Sequence, residues 1–133
     1  MRVEIIDNAV DLDMDAWAKA QAGDYLETNG ASTCGIVAVL NHTQAQAWMV
    51  HQNAPYMTND DTLEMLADAA QVAASSDDIE IWLAGCGDGV TKTQSREALI
   101  EAVKIYFPAL APRLDWGREG LLATFSGGRW QVG

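Results

Sequence analysis

The sequence predicts one α+β domain, in which a layered mixed β-sheet or β-sandwich is flanked by helices. Two segments, 60–74 and 95–107, carry apolar residues every three to four positions and predict amphipathic helices. Short apolar runs bounded by turn-forming residues predict strands before, between and after them. Helix and strand signals follow one another in a mixed order, which favours an α+β architecture over residues 1–133.

The two helices have start or stop signals. Thr58 and Asp61 have the spacing of a capping box before the first helix, and Pro108 ends the second. The remaining elements are predicted as a strand at 2–6, a weak helix at 13–22, a loop at 23–30, a hairpin from 33–40 and 45–51, a strand at 79–84, and terminal strands at 114–116, 121–125 and 129–132. The glycine-rich segment 85–89 lacks a complete nucleotide-binding pattern and is interpreted as a tight strand exit.

Length and charge narrow the class of function. The 133 residues suffice for a single hydrophobic core, and the formal net charge is −11. Nucleic acid and anionic membrane surfaces are therefore disfavoured as partners, because both require clustered Lys and Arg. The acidic balance favours a basic protein partner, or simply keeps the protein in solution.

Cysteine usage and hydropathy predict a cytoplasmic protein, with export as an effector left open. The two cysteines do not form a disulfide framework, and no apolar run approaches the length of a membrane span. Neither a CxxC nor an HExxH pattern occurs, so no metal and no other cofactor is predicted. Nothing in the sequence indicates the oligomeric state.

The pair Cys34 and His51 is the strongest candidate for chemistry. Each lies on one strand of the predicted hairpin, whose turn comprises 41–44. With the turn centred between His42 and Thr43, Cys34 and His51 lie directly opposite each other on one face, with Cβ atoms about 4.5–5.5 Å apart. The same alternation directs Trp48 into the core on the other face, and His42 is expected to be solvated in the turn.

A thiol beside an imidazole is the minimum equipment for nucleophilic attack on a carbonyl. The pair can exist as thiolate and imidazolium near neutral pH. The competing interpretation is that Cys34 is a small buried hydrophobe, since the run after it is strongly apolar.

The chain resembles the chemotaxis glutamine deamidase family CheD over roughly residues 23–107. The residues that carry the resemblance are Thr28, the Thr33-Cys34 pair and His51, seventeen positions after the cysteine. Protein N-terminal asparagine amidohydrolases have the same spacing and a later strand–glycine–helix block, similar to residues 79–107 here. Deamidating toxins of the cytotoxic necrotising type use a comparable Cys–His site on a related fold. Cys86 stands where the amidohydrolases have a second glycine.

The resemblance implies a CheD-like fold and a cofactor-independent cysteine amidohydrolase that deamidates glutamine or asparagine on a protein. Catalysis would fall to Cys34 and His51, with Thr28 orienting the imidazole or contacting the substrate. Substrate binding is expected from Ser32, Thr33, Gln52 and Asn53, and the loops 23–32 and 52–58 are expected to frame the entrance. A non-catalytic protein-binding module and a hydrolase of small amides remain open as alternatives.

Overall fold

The computed structural model describes residues 1–53 and 58–133, and over these it is a mixed α+β structure with two helices and two sheets. The elements in chain order are β1 (Ala9–Leu12), β2 (Trp17–Gln21), β3 (Tyr25–Thr28), β4 (Gly35–Asn41), β5 (Gln46–Gln52), α1 (Asp60–Val72), β6 (Ile79–Gly85), α2 (Lys92–Tyr106), β7 (Arg113–Trp116), β8 (Leu121–Ser126) and β9 (Arg129–Val132). The α+β class predicted from the mixed order of elements is confirmed.

The strands form two sheets that differ in their connections. The larger has the order β2-β5-β4-β6-β7 and is antiparallel except for the parallel pair β6–β7. The smaller has the order β1-β3-β8-β9, with β1 and β3 parallel. The hairpin β4–β5 thus lies at the centre of the larger sheet, and both of its strands have a neighbour on each side.

Two hydrophobic clusters define the layers. One contains residues of both sheets and fills the space between them; its members include Leu26, Ile36, Leu40, Met49, Trp82 and Trp130. The other joins the opposite face of the larger sheet to both helices; its members include Trp48, Val50, Met65, Leu66, Leu83 and Leu99. Alternate residues of the hairpin therefore face the other sheet or the helices.

Both predicted helices are present, with small shifts at their ends. α1 is capped by the side chain of Asn59, which accepts from the backbone N–H of Thr62 at 3.1 Å, rather than by the predicted capping box at Thr58. α2 begins at Lys92, three residues before the predicted start, and ends just before Pro108. Within the described residues, neither helix has the length and hydropathy needed to cross a membrane.

The N-terminal third corrects the sequence predictions. The weak helix at 13–22 is wrong, because residues 17–21 form β2 and pair with β5. The predicted strand at 2–6 contributes only isolated bridges, and the predicted loop 23–30 contains β3. Ala18 and Ala20 are fully buried against the other sheet, so tertiary packing outweighs the helical preference of this alanine-rich run.

The hairpin exists, but its register differs by two residues from the predicted one. Gly35 pairs with Gln52 and Asn41 with Gln46, so the turn comprises 42–45. The side chain of Asn41 accepts from the backbone N–H of Gln44 at 2.9 Å, which extends β4 by one residue. A shift of two residues preserves the face on which each side chain lies, because the period of a strand is two.

Candidate functional site

His51 lies near the end of β5 with its imidazole directed into the space between the sheets. Its Nδ1 is 2.7 Å from the hydroxyl of Thr28, the last residue of β3 in the opposite sheet. That hydroxyl also donates to the backbone carbonyl of Leu12, at the end of β1, at 2.7 Å. His51 is 3% exposed and Thr28 is fully buried, so a chain of two hydrogen bonds crosses the core and orients the imidazole.

The hydrogen bonds of Thr28 determine which nitrogen of His51 carries the proton. A hydroxyl has one hydrogen, and the carbonyl of Leu12 can only accept it. Thr28 must then accept from Nδ1–H of a neutral His51, which leaves Nε2 as the unprotonated nitrogen. Among the described residues Nε2 has no hydrogen-bond partner, although it is buried. His51 is therefore held in the tautomer of a general base with its basic nitrogen unused.

The charge state of His51 depends on burial and on three aspartates. Desolvation by burial lowers the pKa of His51 below its usual 6.5, and this is the largest effect. The carboxylates of Asp15, Asp11 and Asp13 act in the opposite direction. The net lowering means that His51 is predominantly neutral near pH 7, as a base must be.

Cys34 lies one residue before β4 and is buried in the cluster between the sheets, on the same face as His51. Its thiol is 3.8 Å from the side-chain oxygen of Asn53. The predicted direct opposition of Cys34 and His51 is wrong, because the register places Ile36 opposite His51. The cysteine is instead the diagonal neighbour of the histidine, a relation that separates side chains in a sheet by about 7–8 Å.

The backbone around Cys34 is fixed by the glycine-rich segment that follows β6. The carbonyl of Cys34 accepts from the N–H of Cys86 at 2.8 Å, and the carbonyl of Ser32 accepts from Gly87 and Asp88. Gly85 has φ +76°, and a Cβ placed on it would lie 2.3 Å from the carbonyl oxygen of Cys34. Only glycine permits this approach. The segment is thus a tight strand exit, and its contacts hold Cys34 in place.

An open pocket of about 460 Å³ adjoins His51. Its lining consists of Asp11, Leu12, Asp13, Met14, Asn29, Gly30 and His51. All of these except Leu12 and His51 are exposed, so the imidazole lies at the base of a shallow, acidic opening. The pocket includes part of the predicted entrance loop 23–32.

Asp15 is a positioning residue that the sequence interpretation missed. It has φ +62°, and its N–H donates to the carbonyl of His51 at 2.6 Å. Its carboxylate accepts from the backbone N–H of Asn53 and from the side chain of Asn59. Asp15 therefore fixes the end of β5 and the start of α1 together. In the sequence it falls within the weak helix predicted at 13–22, and only the alternation of acids at 11, 13 and 15 distinguishes it.

The other predicted binding residues divide between two places. Asn53 and Ser32 lie beside Cys34, and Thr33 is exposed next to it. Gln52 is buried on the helix side, where its side-chain oxygen accepts from Thr62 at 2.6 Å and from the N–H of Asn59. The structure therefore does not bring Gln52 to the pocket. Four residues of the predicted entrance loop 52–58, namely 54–57, lie outside the described residues.

Cys86 differs from Cys34 in its surroundings. It is fully buried, and burial raises the pKa of its thiol to about 11, against an opposing effect from Arg96. The guanidinium of Arg96 donates twice to the carbonyl of Cys86, at 3.1 and 2.9 Å. Cys86 therefore has the features of a structural thiol.

Across residues 1–53 and 58–133, no group of three or more His, Cys, Asp or Glu side chains is arranged to hold a metal ion. Comparison with known proteins gives no relative: no family model matches the chain, and no curated protein matches it. The arrangement of Cys34, His51 and Thr28 must therefore be interpreted from its own geometry.

Proposed function

We propose that the protein is a cysteine-dependent amidohydrolase that deamidates a side-chain carboxamide of another protein, with glutamine as the favoured residue. The observation that carries the proposal is the buried Nε2 of His51, which has no partner among the described residues and which Thr28 holds in the basic tautomer. Leaving such a nitrogen unpaired costs about 1–3 kcal/mol of folding free energy. A reaction that uses the nitrogen would explain why the fold retains it. The resemblance to CheD supports the same assignment.

The reaction begins with proton transfer from Cys34 to Nε2 of His51. The thiol turns from Asn53 toward the imidazole, a movement in keeping with the loose hydrogen bonds of many free enzymes. The thiolate sulfur forms a bond to the carboxamide carbon, and the carbonyl oxygen becomes an oxyanion. The backbone N–H of Cys34 is a candidate donor to that oxygen.

The second half of the reaction releases ammonia and restores the enzyme. Nε2–H of His51 donates its proton to the departing nitrogen as the carbon–nitrogen bond breaks, which leaves a thioester on Cys34. Water then attacks the thioester while Nε2 accepts its proton. The carbon–sulfur bond breaks, the thiolate recovers the proton, and the products are a carboxylic acid and ammonia.

The shape of the pocket favours a protein substrate over a small amide. A small amide calls for an enclosed cavity, whereas most residues that line this pocket are exposed. A flexible segment of a second protein can lie across such an opening and direct one side chain toward His51. The carboxamide is the only part of the substrate that must reach the space between the sheets.

The test is ammonia release from glutamine-rich proteins, combined with intact mass. In the presence of the wild-type protein, the substrate should gain about one mass unit per modified site, because an amide becomes an acid. Cys34→Ala should abolish the gain, and Cys86→Ala is the matched control that should retain it. Iodoacetamide should label Cys34 much faster than Cys86, because the Cys86 thiol is buried and has a raised pKa. Failure of every substrate, with both thiols unreactive, would refute the proposal and favour a binding module.

A further inference from the structure

The opening above His51 is lined by acidic side chains. Asp11 and Asp13 line the pocket and are exposed, and their side-chain carboxylates have no hydrogen bond or ion pair to any described residue. No Lys or Arg is among the residues described as lining it. Acidic side chains that merely keep a protein in solution need not surround one opening, so their placement calls for a separate explanation.

A second observation at the same place indicates a ligand. His51 lines this pocket, is 3% exposed, and carries a buried Nε2 that no residue in the ranges 1–53 and 58–133 contacts by a hydrogen bond. The carboxylates of Asp11, Asp13 and Asp15 are near enough to raise its pKa against the effect of burial. The acidic opening and the unsatisfied base therefore belong to one site, and a ligand that reaches His51 through this pocket passes Asp11 and Asp13.

We propose that the pocket selects a basic segment, in which a lysine or arginine of the substrate protein is held by Asp11 and Asp13 while a neighbouring carboxamide reaches His51. This inference rests on the proposed deamidation and names its substrate class. The occupant is a segment of another protein with a Lys or Arg within a few residues of the target glutamine.

The remaining lining residues suit a basic side chain. Met14 lies between Asp13 and Asp15 in the chain and is 58% exposed at the opening. A lysine or arginine can place its aliphatic stem on this thioether while its charged end reaches the carboxylates. The volume of about 460 Å³ is suited to one or two side chains rather than to a folded surface. The formal net charge of −11 adds long-range attraction for a basic partner.

The experiment compares two glutamine peptides that differ at one position beside the glutamine, lysine in one and norleucine in the other. Their kcat/KM values are measured at low salt with the wild type, Asp11→Asn, Asp13→Asn and the control Glu97→Gln, whose side chain is exposed on α2. Each pocket substitution should lower the ratio of kcat/KM for the lysine peptide to kcat/KM for the norleucine peptide about two- to fivefold, because any effect on His51 itself is common to both peptides. Glu97→Gln should affect neither peptide.

A second arm separates this inference from the proposed activity. Binding of the fluorescently labelled lysine peptide to Cys34→Ala is measured by anisotropy, with and without Asp11→Asn and Asp13→Asn. Binding that depends on these aspartates, without ammonia release by the wild type, would retain the basic-segment inference and refute the deamidation. Deamidation of both peptides at equal rates would refute the basic-segment inference and retain the proposed deamidation. If the lysine peptide does not bind and no preference for lysine is found, the inference is overturned.

Discussion

The two ends of the β4–β5 hairpin each bury one histidine, and the two histidines differ in what they leave unpaired. At the turn, Nδ1 of His42 accepts from the backbone N–H of Trp130 at 3.0 Å, so its Nε2–H is directed at Glu80, also at 3.0 Å. At the open end, His51 uses only Nδ1, and Nε2 has no partner among the described residues. The imidazole of His42, with both nitrogens hydrogen-bonded, joins the end of β4 to strands of both sheets. The imidazole of His51, with one nitrogen free of described partners, is available for chemistry.

The contrast also corrects an expectation, since His42 was predicted to be solvated in the turn. It is buried because the smaller sheet covers this end of the hairpin, and β9 supplies the donor for Nδ1. Position in a turn is therefore a poor guide to exposure in a two-sheet fold. The hydrogen-bond inventory of each imidazole distinguishes the two roles better.

The strongest test of the comparison substitutes asparagine at both histidines. His51→Asn keeps a donor for Thr28 but removes Nε2, so ammonia release should fall by about a thousandfold or more, with a smaller effect on unfolding. His42→Asn can keep only one of its two hydrogen bonds, so the free energy of unfolding should fall by about 1–3 kcal/mol while activity is retained. Activity assays and urea unfolding measure the two effects, and equal outcomes at both sites would contradict the comparison.

A second test concerns the backbone that holds Cys34 at the end of the hairpin opposite the turn. Gly85→Ala places a Cβ against the carbonyl of Cys34, while Gly128→Ala has nearly the same φ, +80°, and open space around the new Cβ. Both variants pay for a left-handed alanine, about 1–2 kcal/mol. Gly85→Ala should lower the unfolding free energy by a further 1–3 kcal/mol or so, because the overlap forces a backbone shift. Similar denaturation midpoints for the two variants would show that the close approach contributes nothing.

A third test removes the hydroxyl that sets the tautomer. Thr28→Val leaves Nδ1–H of His51 and the carbonyl of Leu12 unpaired, so kcat should fall about 10- to 100-fold. Thr28→Ser keeps the hydroxyl and should restore most of the rate. If Thr28 had a purely structural role, stability would fall and Thr28→Ser would not recover kcat. Both kcat and thermal unfolding are therefore measured for each variant.

The smallest expected effect is on the titration of His51. Its lowered pKa means that the unfolded chain binds the proton more readily, so stability should decrease as the pH falls below 6.5. Asp11→Asn removes a carboxylate that raises this pKa, so the titration of His51 should move to still lower pH. NMR of the ring protons measures it directly, with His42→Asn assigning the two signals. A shift to higher pH would contradict the sign of the interaction.

Periodicity in the sequence was sufficient for the elements that bury a regular face. Leu63, Leu66 and Ala69 predicted α1, and the apolar run 79–84 predicted β6, which extends one residue further, to Gly85. The strands β1 to β3 were not predicted correctly. In β2, Trp17, Ala18 and Ala20 are buried on two faces and show no alternation. Such strands depend on the sheets that cover them, and a local pattern carries little information about those sheets.

The site could be predicted in composition but not in geometry. Thr28, Cys34 and His51 were identified from spacing and resemblance, yet the register depended on Ala45 at φ +54°, a conformation alanine rarely adopts. Asp15 was missed for the same reason, because its φ of +62° has no sequence signal in an aspartate assigned to a helix. Backbone conformations with positive φ, which the sequence does not signal, therefore set both the β4–β5 turn and the contacts that Asp15 makes.

The frame around Cys34 consists mainly of main-chain hydrogen bonds, from Cys86 to its carbonyl, from Gly87 and Asp88 to Ser32, and from Ala31 to Glu119. Peptide groups are the same in every amino acid, so the side chains at these positions can change during evolution while the thiol keeps its place. Gly85 is the exception, since a Cβ there meets the carbonyl of Cys34. Distant relatives could then share this frame with few identical residues, and a search for them would do better to compare backbone geometry around a cysteine and a glycine than to compare letters.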